Sequence, residues 1–254
     1  MEAPQGWLND FAADGKGENA KTGIVLVHGF TGSPAAMRPW AHFLNERGYA
    51  VRVPRLPGHG TKWQDLNEVN WQEWPDRVSR DVDELLAKCD RVFIFALSMG
   101  GATSIQVAHK YGEKIKGLVF VNPMITIKGP AQYFLPVLSK FVPKLKAVGG
   151  DIKKPGASEW SYNALPLKGV VQLRKLLKDS RSKLPQVKAP FMIFHSKDDH
   201  VLPVYNTEIY MEEIGSSQKQ RIELINSYHV ATVDYDQDII FENSLQFITA
   251  ISNQ

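Results

Sequence analysis

Short apolar runs rich in β-branched residues alternate along this chain with longer segments of helical periodicity, and this alternation restricts the possible folds more than any other feature. Because the runs are continuously apolar, we expect strands that are buried on both faces. The predicted strands are Gly23–Gly29, Tyr49–Val53, Arg91–Leu97, Gly117–Asn122, Pro190–His195 and Arg221–Ile225. The predicted helices are Pro34–Arg47, Trp71–Lys88, Met99–Tyr111, Val204–Ile214 and Asp236–Ile251. This order is typical of an α/β fold with a mostly parallel sheet and helices on both faces, in which ligands bind at the carboxyl ends of the strands.

One long interval, residues 123–189, interrupts this alternation. It is too long for a simple crossover and contains several prolines, among them those at positions 130, 136, 143, 155, 166 and 185. Residues 124–189 also hold 13 Lys and Arg against 3 Asp and Glu, a balance of +10, whereas the remainder of the chain carries a balance of −7. We therefore predict an inserted cap at 123–189 over the strand ends of a core formed by 1–122 and 190–254.

The bulk composition excludes several classes of protein. The formal net charge is only +3, which argues against a dedicated nucleic-acid binder. The single cysteine, Cys89, excludes an internal disulfide framework and is compatible with a reducing compartment. Because the sequence shows neither a signal-peptide pattern at its start nor an apolar stretch long enough to span a bilayer, we expect a soluble cytoplasmic protein.

The segment F-A-L-S-M-G-G, Phe95 to Gly101, places Ser98 between a predicted strand and a predicted helix. A serine at such a corner matches the nucleophile turn G-x-S-x-G, although Ala96 stands where the first glycine is usual. That position is restricted by packing and does not react, so alanine is a mild departure. Taken alone the degenerate motif also fits a buried structural serine at a strand end.

Two further segments supply an acid and a base. H-S-K-D-D-H-V-L-P, beginning at His195, follows the fifth predicted strand and offers Asp198 and Asp199. Successive side chains diverge as they leave a strand, so at most one of these carboxylates can orient a histidine. N-S-Y-H-V places His229 in a loop after the last predicted strand, where a base is expected, although such a histidine is more commonly a packing or surface residue.

A backbone oxyanion site is also expected. The N–H of Met99 lies at the start of the helix after Ser98, and the turn H-G-F-T-G presents Phe30 as the second donor, unless that turn is an ordinary glycine-rich connection. We expect His28 and His59 to brace their loops by hydrogen bonds. No pair of histidines has metal-ligand spacing with a cysteine or carboxylate partner, so no metal or other cofactor is expected.

With H-G-F-T-G, P-G-H-G, L-S-M-G-G, D-D-H-V-L-P and N-S-Y-H-V in this order, the chain resembles α/β-hydrolase fold carboxylesterases, and bacterial monoacylglycerol lipases in particular. The resemblance runs from Thr22 nearly to the end of the chain. In this fold the acid usually stands four residues before a proline that opens the next helix, and Pro203 then favours Asp199 over Asp198. The chain order Ser98, Asp199, His229 is that of α/β-hydrolases.

The resemblance implies a serine esterase that hydrolyses carboxylic esters in two steps, with monoacylglycerols as the expected substrates and glycerol and a fatty acid as products. Two alternatives stay open: a carboxylesterase or thioesterase for short acyl groups, and a hydrolase-like small-molecule receptor without catalysis. A fluorophosphonate label and a series of esters of increasing chain length distinguish these possibilities.

The cap sequence carries the expectations about substrate. Phe134, Val137, Leu138 and Phe141 follow helical spacing; they either pack on the core or line an acyl-chain tunnel and a lipid-facing surface, and we expect Phe134, Leu138 and Phe141 to bind substrate. The basic balance suits transient contact with an anionic membrane surface, although a solvated basic face gives the same pattern. Glu159 either accepts hydrogen bonds from a glycerol head group or pairs with a surface lysine.

Overall fold

The computed structural model describes residues 2–129, 131–147 and 150–253. Seven of its strands form one sheet: β1 (Phe11–Ala13), β2 (Thr22–Val27), β3 (Ala50–Val53), β4 (Arg91–Leu97), β5 (Ile115–Val121), β8 (Phe191–Ser196) and β9 (Lys219–Leu224). The order in the sheet is β1-β3-β2-β4-β5-β8-β9, and β1 alone runs antiparallel to its neighbour among these strands. Strands β6 (Lys144–Lys146) and β7 (Ala164–Pro166) pair with each other, antiparallel, within the interval 123–189.

The described α-helices are α1 (Arg38–Glu46), α2 (Glu73–Leu86), α3 (Met99–Tyr111), α4 (Ala131–Leu138), α5 (Leu167–Lys183), α6 (Tyr205–Glu213) and α7 (Gln237–Ser252). Helices α1 and α7 contribute to the core on one face of the sheet, and α2, α3, α5 and α6 to the core on the other. Along β4, Ile94 and Ala96 point into one core while Phe93 and Phe95 point into the other, as strand periodicity requires. The predicted parallel sheet with helices on both faces is therefore confirmed.

All six predicted strands and all five predicted helices are present, with β4 and α3 at the predicted bounds and the other elements differing by a few residues at their ends. The largest difference is at the predicted helix 34–47, where Pro34–Ala36 forms a separate 3-10 turn before α1. Strands β1, β6 and β7 were not predicted, since three residues are too few to show a period.

Within the interval 123–189, helix α5 packs directly against α3. Leu173, Leu176 and Leu177 are buried in the same core as α3. The Ser180 hydroxyl donates a hydrogen bond of 2.8 Å to the carbonyl of Ala102 in α3. The division of the chain into a core and a cap at 122 and 190 stays a prediction.

Within residues 2–129, 131–147 and 150–253, no helix combines the length and apolar character that crossing a membrane requires.

Candidate active site

Ser98 occupies the corner between β4 and α3, with φ of 54° and ψ of −122°. A positive φ is unfavourable for a residue with a side chain, at a cost of about 1–3 kcal/mol, so the surrounding structure must hold it. Its N–H donates to the carbonyl of Val121 at 3.1 Å, and its own carbonyl accepts from the N–H groups of Gly101 and Met124, each at 3.0 Å. These bonds to the neighbouring strand end and helix fix the turn.

Two glycines allow the backbone to approach this corner closely. A β-carbon at Gly100 would overlap the carbonyl oxygen of Val27, and one at Gly29 would lie 3.1 Å from the β-carbon of Ser98. The end of β2, the loop after it and the start of α3 therefore meet without intervening side chains. Ala96 is fully buried in β4, in register with Val27 and Phe120 on the neighbouring strands.

His229 and Asp199 form a hydrogen-bonded pair at the carboxyl end of the sheet. Asp199 lies in the loop after β8 and His229 in the loop after β9, and His229 Nδ1–H donates to Asp199 Oδ2 at 2.8 Å. The other carboxylate oxygen, Oδ1, accepts from the N–H groups of Val201 and Leu202 at 2.8 and 2.7 Å. The Asp199 side chain is only 2% exposed, whereas Asp198 is exposed, so the structure brings Asp199 to the histidine.

The hydrogen bond between Asp199 and His229 favours the carboxylate form of Asp199 and the protonated form of His229. Burial raises the pKa of Asp199, but the hydrogen bond and charge of His229 and the two backbone N–H groups outweigh burial, so the net pKa lies below its ordinary value. Burial lowers the pKa of His229, and the hydrogen bond and charge of Asp199, with the charges of Glu159 and Asp151, raise it to a net value above 6.5. An imidazolium at His229 is therefore favoured, as a base that takes up a proton requires.

Ser98 and His229 line one cavity of about 350 Å3 at the carboxyl ends of the strands. Its walls are mostly apolar and include Phe30, Leu135, Leu145, Leu165, Leu167 and Val170. Among the residues that the structure describes, the Ser98 hydroxyl makes no hydrogen bond, so the expected bond from Ser98 to His229 stays a prediction. Catalytic hydrogen bonds commonly shorten only when substrate binds.

The two proposed oxyanion donors flank the nucleophile turn. Met99 is the first residue of α3, so its N–H has no acceptor within the helix. Phe30 borders the cavity, and its ring makes edge contacts with His59 and Trp74 at centroid distances of 6.1 and 6.2 Å. Their role as donors stays a prediction.

His28 joins the loop after β2 to the loop after β3. Its Nδ1–H donates to the carbonyl of Gly29 at 2.9 Å, which leaves Nε2 to accept from the N–H of Leu56 at 3.2 Å. Burial lowers the pKa of His28 to about 4, so the ring is neutral at physiological pH. His59 packs edge-on against it at 5.0 Å, and burial lowers the pKa of His59 as well. Among the described residues no cluster of His, Cys, Asp or Glu side chains is arranged to hold a metal ion.

Glu159 is buried and borders the same cavity. Its Oε1 accepts a hydrogen bond from the N–H of Gly150 at 3.2 Å. Burial raises its pKa. The Glu159 carboxylate therefore borders a mostly apolar cavity, as does Asp151 of the same interval.

The other substrate-binding residues expected in this interval lie elsewhere. Phe134 is 69% exposed, Leu138 39% and Phe141 80%, and none of them borders the cavity. Leu135 does so instead. Helical spacing shows which residues share a face but not the direction of that face, and Phe141 lies beyond the end of α4.

Two residues at the site were missed by the sequence analysis. Asn122 follows β5 with φ of 42°, and its Nδ2–H donates to the carbonyl of His229 at 2.8 Å. Asp151 accepts a hydrogen bond from the N–H of His229 at 3.1 Å. The position of Asn122 at a strand's carboxyl end was a usable signal, as was the scarcity of acids around Asp151.

Comparison with known proteins adds to this geometry. A family model described as serine aminopeptidase, S33, matches residues 18–236. The chain is 38% identical over 231 residues to the thermostable monoacylglycerol lipase of Bacillus sp. (strain H-257), covering 91% of each protein. It is 26% identical over 226 residues to a carboxylesterase of Bacillus subtilis (strain 168), covering 89% of this chain and 91% of that protein.

A solved structure from work on the metagenome-derived lipolytic enzymes LipS and LipT superposes with a TM-score of 0.91 at 34% identity, covering 96% of this chain and 98% of that one. The sequence identity to these relatives, the order of the motifs and the topology of the sheet all indicate the same fold. The chain therefore belongs to the family described as serine aminopeptidase, S33, and has the α/β-hydrolase fold.

Proposed function

We propose that this protein is a carboxylic ester hydrolase that acts on monoacylglycerols through a catalytic triad of Ser98, Asp199 and His229. One observation carries the proposal: Ser98, held at positive φ, and His229 border the same mostly apolar cavity, and His229 forms a 2.8 Å hydrogen bond with the buried Asp199. The relatives named for monoacylglycerol lipase and carboxylesterase activity support an ester substrate.

The first step forms an acyl-enzyme. Ser98 Oγ attacks the ester carbonyl carbon while its proton moves to His229 Nε2, and Asp199 stabilises the imidazolium through Nδ1. The N–H groups of Phe30 and Met99 stabilise the negative oxygen of the tetrahedral intermediate. The bond to the alcohol oxygen then breaks, and that oxygen takes the proton from His229 as the alcohol leaves.

The second step releases the acid. His229 removes a proton from a water molecule, which attacks the acyl carbon and forms a second tetrahedral intermediate at the same oxyanion site. This intermediate collapses with release of the carboxylic acid, and Ser98 recovers its proton from His229. No step uses a cofactor.

The cavity supports a substrate with an apolar acyl chain. Leu145, Leu165, Leu167 and Val170 supply aliphatic walls, and each buried methylene of a substrate contributes about 0.8 kcal/mol to binding. We infer that the acyl chain lies against these walls and that the alcohol faces the carboxylate of Glu159. Hydroxyl groups of glycerol can donate to that carboxylate, which a simple alkyl ester cannot do.

Glu159→Gln tests the alcohol site. The substitution keeps the size of the side chain but replaces a charged acceptor by a neutral amide, and hydrogen bonds to charged groups are the stronger ones. We expect kcat/KM for a monoacylglycerol to fall relative to that for a methyl ester of the same acid. An unchanged ratio of the two values would remove Glu159 from substrate recognition.

A surface near α4 supports transient contact of a cytoplasmic enzyme with lipid. Phe134, Val137 and Phe141 are more than half exposed, and Lys140 and Lys144 stand among them. Apolar side chains next to cations suit an anionic membrane surface. Binding to vesicles should therefore increase with the anionic lipid fraction and fall in the double variant Phe134→Ser/Phe141→Ser. Binding that does not change with lipid charge or with salt concentration would contradict this.

Labelling and substrate series test the proposed activity. A fluorophosphonate should label the protein and fail to label Ser98→Ala, whereas a receptor without catalysis would stay unlabelled. Values of kcat/KM for glycerol and p-nitrophenyl esters of increasing acyl length should rise toward longer monoacylglycerols. A maximum at acetyl or butyryl esters without preference for glycerol would favour a short-chain carboxylesterase, and turnover of aminoacyl p-nitroanilides would favour an aminopeptidase.

A further inference from the structure

Asp151 lies in the interval 123–189 and contacts two loops of the sheet at once. Its Oδ2 accepts hydrogen bonds from the N–H of His229 at 3.1 Å and from the N–H of His200 at 3.2 Å. Its Oδ1 pairs with Nδ1 of His200 at 2.9 Å. Its own carbonyl accepts from the N–H of Val230, also at 3.1 Å. The carboxylate is only 11% exposed.

These contacts reach both partners of the nucleophile. His229 is the base of the proposed triad, and His200 directly follows Asp199, the proposed acid. The acid and base come from different loops, after β8 and β9, and their side chains meet in one hydrogen bond. The backbones on either side of that bond are held by a single carboxylate.

We propose that Asp151 is a positioning residue that fixes the relative placement of Asp199 and His229 by binding the backbone of both loops. This inference rests on the proposed function, because it takes His229 and Asp199 as base and acid. Asp151 acts through His229 and not on the reacting atoms. Hydrogen bonds from N–H groups to a charged carboxylate are stronger than those to a neutral acceptor, which suits a fixed placement.

The position of Asp199 is then set from two sides. The N–H groups of Val201 and Leu202, in the same loop, donate hydrogen bonds to Asp199 Oδ1. His200, the residue directly after Asp199, is held by Asp151. If the Asp151 contacts were lost, the acid loop would keep its own turn and the hydrogen bond from His229 to Asp199, but the two backbones would no longer share one carboxylate. Misplacement of catalytic groups by about 1 Å reduces rates by about 100-fold.

The charge of Asp151 also acts on His229. The carboxylates of Asp199, Glu159 and Asp151 face the imidazole and favour its protonated form. The hydrogen bond and charge of Asp151, with the charges of Asp198 and Asp199, raise the pKa of His200 and so favour a cation beside Asp151. Removing the charge at 151 and removing its cation at 200 should therefore change the pKa of His229 in opposite directions.

Three variants separate placement from charge. Asp151→Ala removes every side-chain contact. In Asp151→Asn the amide oxygen can still accept both backbone N–H groups, but the charge is lost. His200→Ala removes the cation and keeps the backbone N–H. Asp179→Ala is the matched control, because Asp179 is an ion-paired acid of the same interval that does not border the cavity.

We expect Asp151→Ala to lower kcat by about 10- to 100-fold with a smaller change in KM for a p-nitrophenyl ester. Asp151→Asn should keep most of kcat, while the acid limb of the pH profile of kcat/KM moves to lower pH. His200→Ala should move that limb to higher pH. A purely structural role would loosen the protein but would not move the two limbs in opposite directions.

Two results would overturn the inference: a kcat of Asp151→Ala equal to that of Asp179→Ala, or shifts of the acid limb in the same direction for Asp151→Asn and His200→Ala. Thermal unfolding of each variant identifies loss of fold, and the His200→Ala profile still tests the inference if Asp151→Ala is unfolded. Ser98→Ala separates this test from the proposed function, because activity remaining in Ser98→Ala would refute the triad itself.

Discussion

The substitution Ala96→Gly tests whether the departure from the usual nucleophile motif affects packing or chemistry. Ala96 is fully buried in β4, between Val27 of β2 and Phe120 of β5. Its methyl group belongs to the apolar core on one face of the sheet, together with Ile94. Ser98 lies two residues further, at the corner that borders the cavity. We therefore expect the substitution to change stability and leave catalysis unchanged.

The magnitude follows from two contributions. Removal of one buried methyl group costs about 0.8 kcal/mol, and the added backbone freedom of glycine within a strand costs about 0.5–1 kcal/mol. Their sum, about 1.5 kcal/mol, corresponds to a fall in Tm of roughly 3–6 °C for a chain of this size. Thermal unfolding followed by circular dichroism measures Tm, and kcat/KM for p-nitrophenyl butyrate measures the chemistry.

Gly100→Ala serves as the contrasting variant. A β-carbon there overlaps the carbonyl of Val27, so this substitution should lower both Tm and kcat/KM. If Ala96→Gly changed kcat/KM by about tenfold or more, which is 1.4 kcal/mol in the barrier, the methyl group would be acting on Ser98 and the reasoning would be wrong. A Tm equal to that of the unchanged protein would also refute it.

Three further predictions concern titratable groups. Asp199→Asn should lower kcat by up to about 10⁴-fold because His229 loses the carboxylate that orients it, whereas the exposed neighbour in Asp198→Asn should leave kcat unchanged in the same ester assay. Since the charges around His229 raise its pKa above 6.5 and the base must be neutral, kcat/KM should fall with decreasing pH and reach half its maximum above pH 6.5. Burial lowers the pKa of His28 from 6.5 to about 4, so the unfolded chain binds a proton that the folded chain does not. The free energy of unfolding should therefore decrease as the pH falls from 6.5 to 4, by up to about 3 kcal/mol from this group, and His28→Gln should remove that part of the slope in urea titrations.

Much of the fold follows from local pattern. Strands such as β4 and β8 are continuous apolar runs, and α3 starts where the strand before it ends, so periodicity predicts both. The three-residue strand β1 pairs at the edge of the sheet with β3, which lies far along the chain, and no local period reveals such a pairing. Helix α5 was not predicted, because the prolines and charges of its interval hide a helix that buries one side against α3.

The candidate site likewise has a part that the sequence predicts and a part that it does not. Ser98, Asp199 and His229 each stand at the end of a strand, where the order of elements alone brings them to one edge of the sheet. The wall of the cavity depends on the rotation of α4, which presents Leu135 inward and leaves Phe134 and Leu138 exposed. A helical period contains no information about that rotation. The contact of Asp151 with His229 likewise depends on the path of the whole interval between them.

The close approach at Gly100 has a consequence for how proteins of this kind can be altered. Because α3 meets the end of β2 without a side chain between them, the nucleophile turn and the loop at Gly29 pack directly against each other. An insertion or deletion in either segment would separate Ser98 from the loop that faces it. The exposed surface of α4 is not subject to this restriction, so its side chains can be exchanged without moving Ser98.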